Sequence, residues 1–422
     1  MARRASRRVR RTGWRGIGVA VGASVLLFVG CYQWSETRRW GAEPQPPIAA
    51  TPDRLIRVRL GGRDPRRAAT AEITAFFSIT DFATGRMLSE RHEPLSPVTV
   101  RPAAGAGLDI GEEHFASGDL LLNPARDAAI VLEKRTYRGK LRIRRVGDGL
   151  AFDNHLDVES YLRGVLRGEL PRYFHLESFK AQAVAARTYV LYQKAQAGKD
   201  RSFDVFDHEG SQVYVGVRGE DDIAIRAVAE TAGEVCVWND GRSERMFCTY
   251  YSSACGGCTQ HVNNVKPHVK AVPPLFGGVA CTDCSDAPFY RWGPVELTKA
   301  EATRRLVERY PDLSRLGTIT ELEPKARTPD GRIIRLLLIG STGTSETLVG
   351  EDFRLSIGGR TLKSTNFDIE VRGDKFAFNN GKGFGHGVGL CQHGMEGKAR
   401  RGMEYRQILK AYYPGAEIKK IY

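Results

Sequence analysis

The chain has 422 residues, 41% of them hydrophobic and 27% charged, which argues against collagen, wholesale disorder and a polytopic membrane protein. The net charge is +14, of which residues 1–40 carry +8, so the remaining 382 residues carry +6. A mildly basic body suits an acidic polymer. Nucleic acid is the weaker choice, because no arginine-rich groove with interleaved aromatics follows the first 15 residues.

The N-terminus, residues 1–40, has the layout of an export segment. Seven arginines from Arg3 to Arg15 precede an uncharged run from Gly16 to Trp34, close to the ~20 residues that a membrane span requires. A basic stretch before an apolar one is typical of a signal peptide or signal anchor. We therefore expect an exported protein. It is either anchored in the inner membrane and facing the periplasm or cell wall, or released by cleavage, or lipidated at Cys31. A core helix behind a basic tail is the disfavoured alternative.

A proline-rich linker at residues 41–54 leads into a region of predicted strands. Leu55 to Leu60 alternates apolar and polar residues, as a half-buried strand does. Similar runs occur at 72–79, 129–134 and 140–146, separated by turn residues. Residues 55–150 are thus predicted to be mostly antiparallel strands that serve as scaffold, since they hold no cluster of catalytic residue types.

The pattern changes to helices at Asp157, whose side chain suits the N-cap of a helix that ends near Gly168. A second helix is predicted from Leu176 to Gln196, with apolar residues at helical spacing along one face. Glu169 is therefore expected in a turn between two helices, a position that can present one side chain at a cleft. Further along, a helix at 296–310 and a strand at 332–339 predict an inserted or adjoining lobe near 290–375.

Several motifs in residues 157–415 occur in the order typical of one family. They are Tyr161-Leu162-Arg163-Gly164-Val165, Gly168-Glu169-Leu170-Pro171, KAQAVAARTY from Lys180, Gln212-Val213-Tyr214-Val215-Gly216, YSSACGG from Tyr251, and GFGHGVG from Gly383 with Tyr412-Tyr413-Pro414-Gly415 after it. On these residues the chain resembles the SpoIID/LytB family of bacterial cell-wall remodelling. That family includes stage II sporulation protein D and amidase enhancers.

The resemblance implies a peptidoglycan lytic transglycosylase, which cleaves between N-acetylmuramic acid and N-acetylglucosamine and leaves a 1,6-anhydro end. Such an enzyme manages with one carboxyl group, because the sugar's own 6-hydroxyl attacks and no water needs activation. Glu169 matches the family's catalytic acid, and its apolar neighbours favour the raised pKa that an acid needs near neutral pH. The alternative reading is a non-catalytic wall-binding enhancer of an N-acetylmuramoyl-L-alanine amidase. A solvated or helix-capping role for Glu169 is the structural alternative.

Other motif residues are weaker candidates. Gln182 and Arg187 on the second helix are predicted to brace Glu169 or touch sugar, with a salt-bridged role as the alternative. Gln212 and Tyr214 are predicted to offer a hydrogen bond and a stacking surface, unless they form an ordinary strand pair. His386, held between two glycines, is the second candidate for the catalytic cleft, with a structural histidine as its alternative.

The glycine-rich segment 381–389 lacks the Gly-Lys-Ser/Thr ending of a phosphate loop, so no nucleotide is expected. The same C-terminal region departs from the family pattern. Cys391 and His393 stand where the family commonly has a serine and a tyrosine.

The cysteines carry the other strong signal. Cys255 and Cys258 are separated by 22 residues from Cys281 and Cys284, a spacing close to that of a four-thiolate zinc site. Two disulfides are the competing interpretation, because an exported protein meets oxidising conditions. A structural zinc is the favoured prediction for this cysteine-rich loop, 255–284.

Taken together, the sequence predicts an α+β fold: a β-rich body with a helical catalytic segment, preceded by a single membrane or signal helix. Residues 55–150 form its β-rich part, and 151–422 form the catalytic core. The expected partners are peptidoglycan glycan strands, a cell-wall amidase and the membrane through the N-terminal segment, with no nucleic acid.

Overall fold

The structure is a computed structural model, and it describes residues 53–62, 64–125, 128–198 and 201–422. These residues belong to one compact unit. The predicted export segment, Cys31 and most of the linker lie outside them. Within the described ranges, no helix is long and apolar enough to cross a membrane. The described chain mixes helices and strands around a β-rich body, which confirms the predicted α+β class.

Strands fill most of the chain before residue 158. They are β1 (Leu55–Leu60), β2 (Ala69–Ile73), β3 (Phe77–Asp81), β4 (Met87–Arg91), β5 (Leu95–Pro102), β6 (Leu108–Ile110), β7 (Glu113–Phe115), β8 (Asp119–Pro124), β9 (Ile130–Leu132), β10 (Arg135–Tyr137), β11 (Lys140–Val146) and β12 (Gly149–Asp157). With β13 (Val205–Phe206), they form a seven-stranded sheet of order β13-β1-β12-β11-β8-β3-β4 and a six-stranded sheet of order β10-β9-β2-β5-β6-β7.

The two strands predicted at 55–60 and 140–146 have those bounds in the structure. The run predicted at 72–79 is instead broken between Ile73 and Phe77. There the chain leaves the six-stranded sheet for the seven-stranded one, and Phe76 is left exposed at the crossing. Alternation of residue types continues across this break, which is why it is not visible in the sequence.

Two helices follow the sheets. Helix α1 (Val158–Glu169) begins after Asp157, whose side chain accepts a hydrogen bond from the Glu159 N–H, and Glu169 is its last residue. Helix α2 (Leu176–Gln196) has the predicted bounds. It is buried on more than the one predicted face, because it packs against α1 and, on other sides, against helices and a strand from later in the chain.

The chain then forms α3 (Asp222–Glu230), β14 (Glu234–Asn239), β15 (Glu244–Met246), β16 (Tyr251–Ser252), α4 (Val262–Val265) and β17 (Arg291–Trp292). A second lobe follows with its own apolar core, which includes Leu306, Leu336, Phe353 and Phe378. It comprises β18 (Val295–Thr298), α5 (Lys299–Arg309), β19 (Ile319–Arg327), β20 (Ile333–Gly340), β21 (Ser345–Val349), α6 (Gly350–Ile357), β22 (Asp368–Arg372) and β23 (Lys375–Asn379). The helix predicted from residue 296 starts later, because Val295–Thr298 pair with β23 and Thr298 caps α5.

The last part of the chain returns to the main body. It forms β24 (Gly381–Lys382), β25 (Leu390–Cys391), α7 (Gln392–Arg400), α8 (Tyr405–Tyr412) and β26 (Glu417–Lys420). Strand β24 pairs with β17, β25 lies parallel to β16, and β26 pairs with β14. These pairings bring residues near 390 beside residues near 251, and both beside the end of α1.

Candidate active site

Glu169 sits where α1 meets the segment that carries Gln212 and Tyr214. A Cβ on Gly168 would lie 2.1 Å from the Val213 carbonyl oxygen, so only glycine lets this segment lie against the helix end. The close approach brings the Val213 N–H to Oε1 of Glu169, to which it donates a hydrogen bond of 2.8 Å. Glu169, predicted in the turn after this helix, is the last residue of α1, and the Val213 N–H holds its side chain there.

Two side chains complete the hydrogen bonding of this carboxyl. The Tyr251 hydroxyl donates to Oε1 at 3.1 Å, and the Gln392 amide lies 3.4 Å from Oε2. Both are placed by the parallel pairing of β16 with β25, in which Tyr251 lies opposite Leu390, two residues before Gln392. Three separate stretches of chain therefore converge on one carboxyl group.

Burial raises the pKa of the Glu169 carboxyl, and it is the largest influence on that group. The hydrogen bonds from Val213, Tyr251 and Gln392 act in the opposite direction, because they stabilise the ionised form, and the charge of Glu209 adds a small increase. The residue is half-buried as a whole, but its carboxyl lies within packed protein. The net shift is upward, as a general acid near neutral pH requires.

Gln212 and Tyr214 are both buried, which differs from the expectation that they offer a surface to sugar. Gln212 accepts a hydrogen bond from Tyr161 and donates one to the Tyr251 hydroxyl, at 3.0 and 3.1 Å. Tyr214 donates to Asn154 at 2.9 Å and packs on neighbouring tyrosine rings. Gln212 thus orients a hydrogen-bond donor of Glu169, while Tyr214 belongs to the core.

Arg187 and Gln182 are fully buried on α2. Arg187 pairs with both carboxylate oxygens of Glu159, at 2.9 and 2.6 Å, and donates to the Glu234 carbonyl. It therefore takes the salt-bridged alternative and has no route to sugar in this conformation. Neither amide atom of Gln182 has a hydrogen-bond partner among the described residues, so Gln182 does not hydrogen-bond to Glu169.

His386 lies outside the hydrogen-bond group of Glu169. Its Nδ1 accepts a hydrogen bond from the Val388 N–H at 2.9 Å, and burial lowers its pKa to about 4. The imidazole is therefore neutral at physiological pH. Among the described residues, the hydrogen-bond partners of the Glu169 carboxyl are Val213, Tyr251 and Gln392, and His386 is not one of them.

The cysteines assemble differently from the predicted set. The Sγ atoms of Cys255, Cys281, Cys284 and Cys391 all lie within 4.8 Å of one another, and all four residues are buried. Cys258 is not part of this group; its Sγ lies beside the Thr259 carbonyl at 3.5 Å. Cys391 joins the cluster instead because the β16–β25 ladder places it opposite Ser252, three residues before Cys255.

This cluster fits a tetrahedral thiolate site. Four sulfur atoms bonded to zinc at ~2.3 Å lie roughly 3.8 Å apart, and Cys255 and Cys284 are at 3.6 Å. Backbone N–H groups of Cys255 and Gly394 point at the Cys391 sulfur, as they do at sulfur ligands. A Cβ on Gly394 would lie 2.5 Å from the Cys281 sulfur, so glycine leaves room for the cluster.

The remaining described cysteines, Cys236 and Cys248, are buried singly, and burial raises the pKa of each to about 12. They are apolar core residues. The sequence did not predict that Tyr251 and Gln392 contact Glu169, nor that Cys391 joins the cysteine cluster. Tyr251 opens a quoted motif, whereas Gln392 has no sequence signal of its own.

Parts of this chain match two family models, and several known proteins are similar to it. Residues 147–238 match the family model described as stage II sporulation protein (SpoIID), and residues 274–389 match a domain of unknown function, DUF8618. An uncharacterized protein of Brachyspira hyodysenteriae is 33% identical over 285 residues, which span 67% of this chain and 72% of the relative.

Two proteins of Bacillus subtilis are also similar. One is named stage II sporulation protein D, with 28% identity over 63% of this chain and 75% of the relative. The other is named amidase enhancer, with 28% identity over 61% of this chain and 40% of the relative. The matched residues of the SpoIID model include Glu169, whereas Tyr251 and Gln392 lie beyond it.

Proposed function

Because this chain belongs to the SpoIID/LytB family, we propose that it is an exported lytic transglycosylase acting on the glycan strands of peptidoglycan. The observation that carries the proposal is the environment of the Glu169 carboxyl. Burial raises its pKa, and three hydrogen-bond donors stabilise its ionised form. A group with that balance can give up a proton and take one back, and a single-carboxyl mechanism needs both.

In the first step Glu169 protonates the oxygen that links N-acetylmuramic acid to N-acetylglucosamine. Oε1 already accepts two hydrogen bonds, from Val213 and Tyr251, whereas Oε2 has only the longer contact with Gln392. Oε2 is therefore the oxygen that carries the proton. As the glycosidic bond breaks, the carboxylate that remains is stabilised by all three donors.

In the second step the Glu169 carboxylate removes a proton from the 6-hydroxyl of the muramic acid residue. The freed oxygen bonds to the anomeric carbon of the same ring, which closes the 1,6-anhydro product. The carboxyl regains its proton, so the cycle ends as it began. No water enters, which distinguishes this reaction from the two-carboxyl hydrolysis of most glycosidases.

The proposal includes a structural zinc ion held by Cys255, Cys281, Cys284 and Cys391. When bound to four thiolates, zinc has no open position for water, so it supplies stability rather than acid–base chemistry. Cys391 is the residue before Gln392, and Gln392 contacts Glu169. Holding that cysteine in place therefore also holds a hydrogen-bond donor of the catalytic carboxyl.

Export and membrane attachment are part of the same proposal, and their support is the arginine-rich and then apolar N-terminal sequence. A substrate in the cell wall requires the catalytic body to lie outside the cytoplasm. The positive-inside rule gives this orientation, because it keeps the arginines in the cytoplasm.

A second function is favoured by one observation. The similar Bacillus subtilis protein is named amidase enhancer, and it shares 28% identity with this chain over 300 residues. Under this alternative the protein binds peptidoglycan and stimulates a cell-wall amidase without cleaving glycan itself.

The deciding experiment incubates purified glycan strands with the detergent-solubilised full chain and identifies the products by mass spectrometry. Anhydro-muramic ends that appear with wild-type protein, and not with Glu169→Gln, support the transglycosylase. Unchanged glycan, together with faster release of stem peptides by an added amidase, supports the enhancer and overturns the first proposal.

A further inference from the structure

Phe289 combines a strained backbone with an exposed aromatic ring. Its φ is +65°, and 53% of the residue is exposed. The other described non-glycine residues with positive φ are Glu133 and Lys134, which form the turn between β9 and β10, and Asn380, a residue type that tolerates this conformation. Glycine would adopt the Phe289 backbone without strain. Strain retained at an exposed aromatic residue points to function rather than to folding.

The segment around Phe289 is fixed at both ends. The Tyr290 N–H donates to the Ala287 carbonyl, and the Tyr290 carbonyl accepts from the Gly383 N–H at 2.8 Å. The Phe289 ring meets the Phe384 ring edge to face, with centroids 6.0 Å apart. The ring is thus presented to solvent in a defined place.

One cation lies over this ring, and two more lie close in sequence, Arg291 two residues after Phe289 and Lys382 two residues before Phe384. Lys363 Nζ lies 4.8 Å from the Phe289 centroid. Arg291 and Lys382 are directly opposed on the β17–β24 ladder, a like-charge pairing that destabilises a sheet. Within the described ranges, none of the three forms an ion pair with a carboxylate. We call Phe289, Arg291, Lys363, Lys382 and Phe384 the Phe289 surface.

The Phe289 surface is connected to the active site by one short stretch of chain. Phe384 and Ala254 exchange two backbone hydrogen bonds, at 2.8 and 2.9 Å. Ala254 is three residues after Tyr251, which contacts Glu169, and three residues of extended chain span about 10 Å. The Phe289 surface is therefore linked to Glu169 through Phe384, the segment 251–254 and the Tyr251 hydroxyl.

We propose that the Phe289 surface binds the same peptidoglycan strand outside the cleavage point, with a sugar ring stacked on Phe289. The C–H face of a pyranose packs on aromatic rings. The carboxylates of the stem peptide, or the lactyl carboxylate of muramic acid where that peptide has been removed, complement Arg291, Lys363 and Lys382. A neutral glycan would engage the ring alone. The identity of the polymer rests on the proposed function, whereas the existence of the surface does not.

The test measures binding of the full chain carrying Glu169→Gln, so that turnover does not interfere. The probes are peptidoglycan stripped of attached polymers, an uncharged N-acetylglucosamine oligomer, and vesicles of anionic lipid. Phe289→Ala should weaken peptidoglycan binding about two- to tenfold. Phe76→Ala removes an equally exposed ring (58%) between β2 and β3 and should leave binding unchanged. Neutralising Arg291, Lys363 and Lys382 together should reduce binding of peptidoglycan but not of the uncharged oligomer.

Phe289→Gly separates function from folding. Glycine relieves the backbone strain, so its melting temperature should equal or exceed that of the parent, while peptidoglycan binding falls as with Phe289→Ala. The inference is overturned if both variants bind peptidoglycan like the parent, or if anionic vesicles compete fully for the surface. Failure of the proposed function looks different: wild-type protein then yields no anhydro ends, even though these binding differences persist.

Discussion

The phenol oxygen of Tyr251 lies 3.1 Å from Oε1 of Glu169 and donates its proton to that carboxyl. The same oxygen accepts a hydrogen bond from Gln212, which in turn accepts one from the Tyr161 hydroxyl. A row of buried polar groups therefore ends at the Glu169 carboxyl and favours its ionised form. The balance between this row and burial sets the pH at which Glu169 can act as an acid.

Tyr251→Phe should move the pH profile of cleavage upward. Loss of the hydroxyl removes a hydrogen bond that lowers the pKa of Glu169, so the pKa rises further and the alkaline limb shifts up by about one pH unit. The rate at the optimum should fall, because the carboxylate left after the first step is less stable. Tyr161→Phe acts one group further away and should give a smaller shift in the same direction. Profiles of kcat/KM against pH for both variants check this. An unchanged alkaline limb in Tyr251→Phe would contradict it.

Glu169→Gln should reduce the cleavage rate by ~10²–10⁴-fold, because the amide keeps the shape but neither gives nor takes the proton. Glu209→Gln is the matched control. Glu209 is exposed and acts on Glu169 only through its charge, so its loss should change the rate little. Rates of anhydro-end formation decide the point, and a larger loss in Glu209→Gln than in Glu169→Gln would make Glu209 the acid.

Two other nearby carboxylates are poor substitutes for Glu169. Asp204 is buried and bonded to the Arg57 guanidinium, and buried Asp207 accepts from the Gly61 N–H. Both carboxylates thus hold separate parts of the chain together. The same rate assay tests this, since neither Asp204→Asn nor Asp207→Asn should remove the reaction without also unfolding the protein.

The same Glu169→Gln substitution should stabilise the protein at neutral pH. The pKa of Glu169 is higher in the folded state than its ordinary value of 4.5. Between that ordinary pKa and the raised pKa, the folded protein therefore binds more protons than the unfolded protein. Wild-type stability therefore falls as pH rises through that window, whereas the glutamine variant has nothing to ionise. Melting temperatures measured from pH 4 to pH 8 should show a gain for the variant that grows with pH. A constant difference across that range would refute the burial argument.

Zinc content should follow the cluster and not the sequence spacing. Protein purified without added metal should contain about one zinc per chain, and Cys281→Ser or Cys391→Ser should lose it while Cys258→Ser keeps it. Chelator should lower the melting temperature and reductant alone should not, because the unfolded chain has no preformed site. Two disulfides would give the reverse response, and metal retained in Cys391→Ser would exclude that residue as a ligand.

Local features of the fold were predictable because local chemistry determines them. The cap at Asp157 and the bounds of α2 follow from residue types within one or two helical turns. The start of α5 was missed because residues 295–298 pair with β23, almost 80 residues away. That competition between strand and helix is decided by tertiary packing, which a local pattern does not contain.

The site shows the same division. The motif identifies Glu169, but its side-chain donors come from β16 and α7, which the two-residue parallel ladder between β16 and β25 brings together. Likewise Cys258 has the sequence spacing of a ligand, yet Cys391, more than 100 residues after Cys284, takes its place. Arg187 has the polarity of a ligand-binding residue, but its guanidinium is buried and paired with the Glu159 carboxylate.

The order in which the chain is synthesised determines when the Glu169 carboxyl acquires its full set of hydrogen-bond donors. Position 169 emerges early, but the ladder that supplies Gln392 forms only after residue 391 has been synthesised, and β26 then closes against β14 from the last few residues. A chain synthesised from its N-terminus thus carries an unfinished site for nearly its whole length. A premature stop before Gln392 leaves the Glu169 carboxyl without a full set of donors.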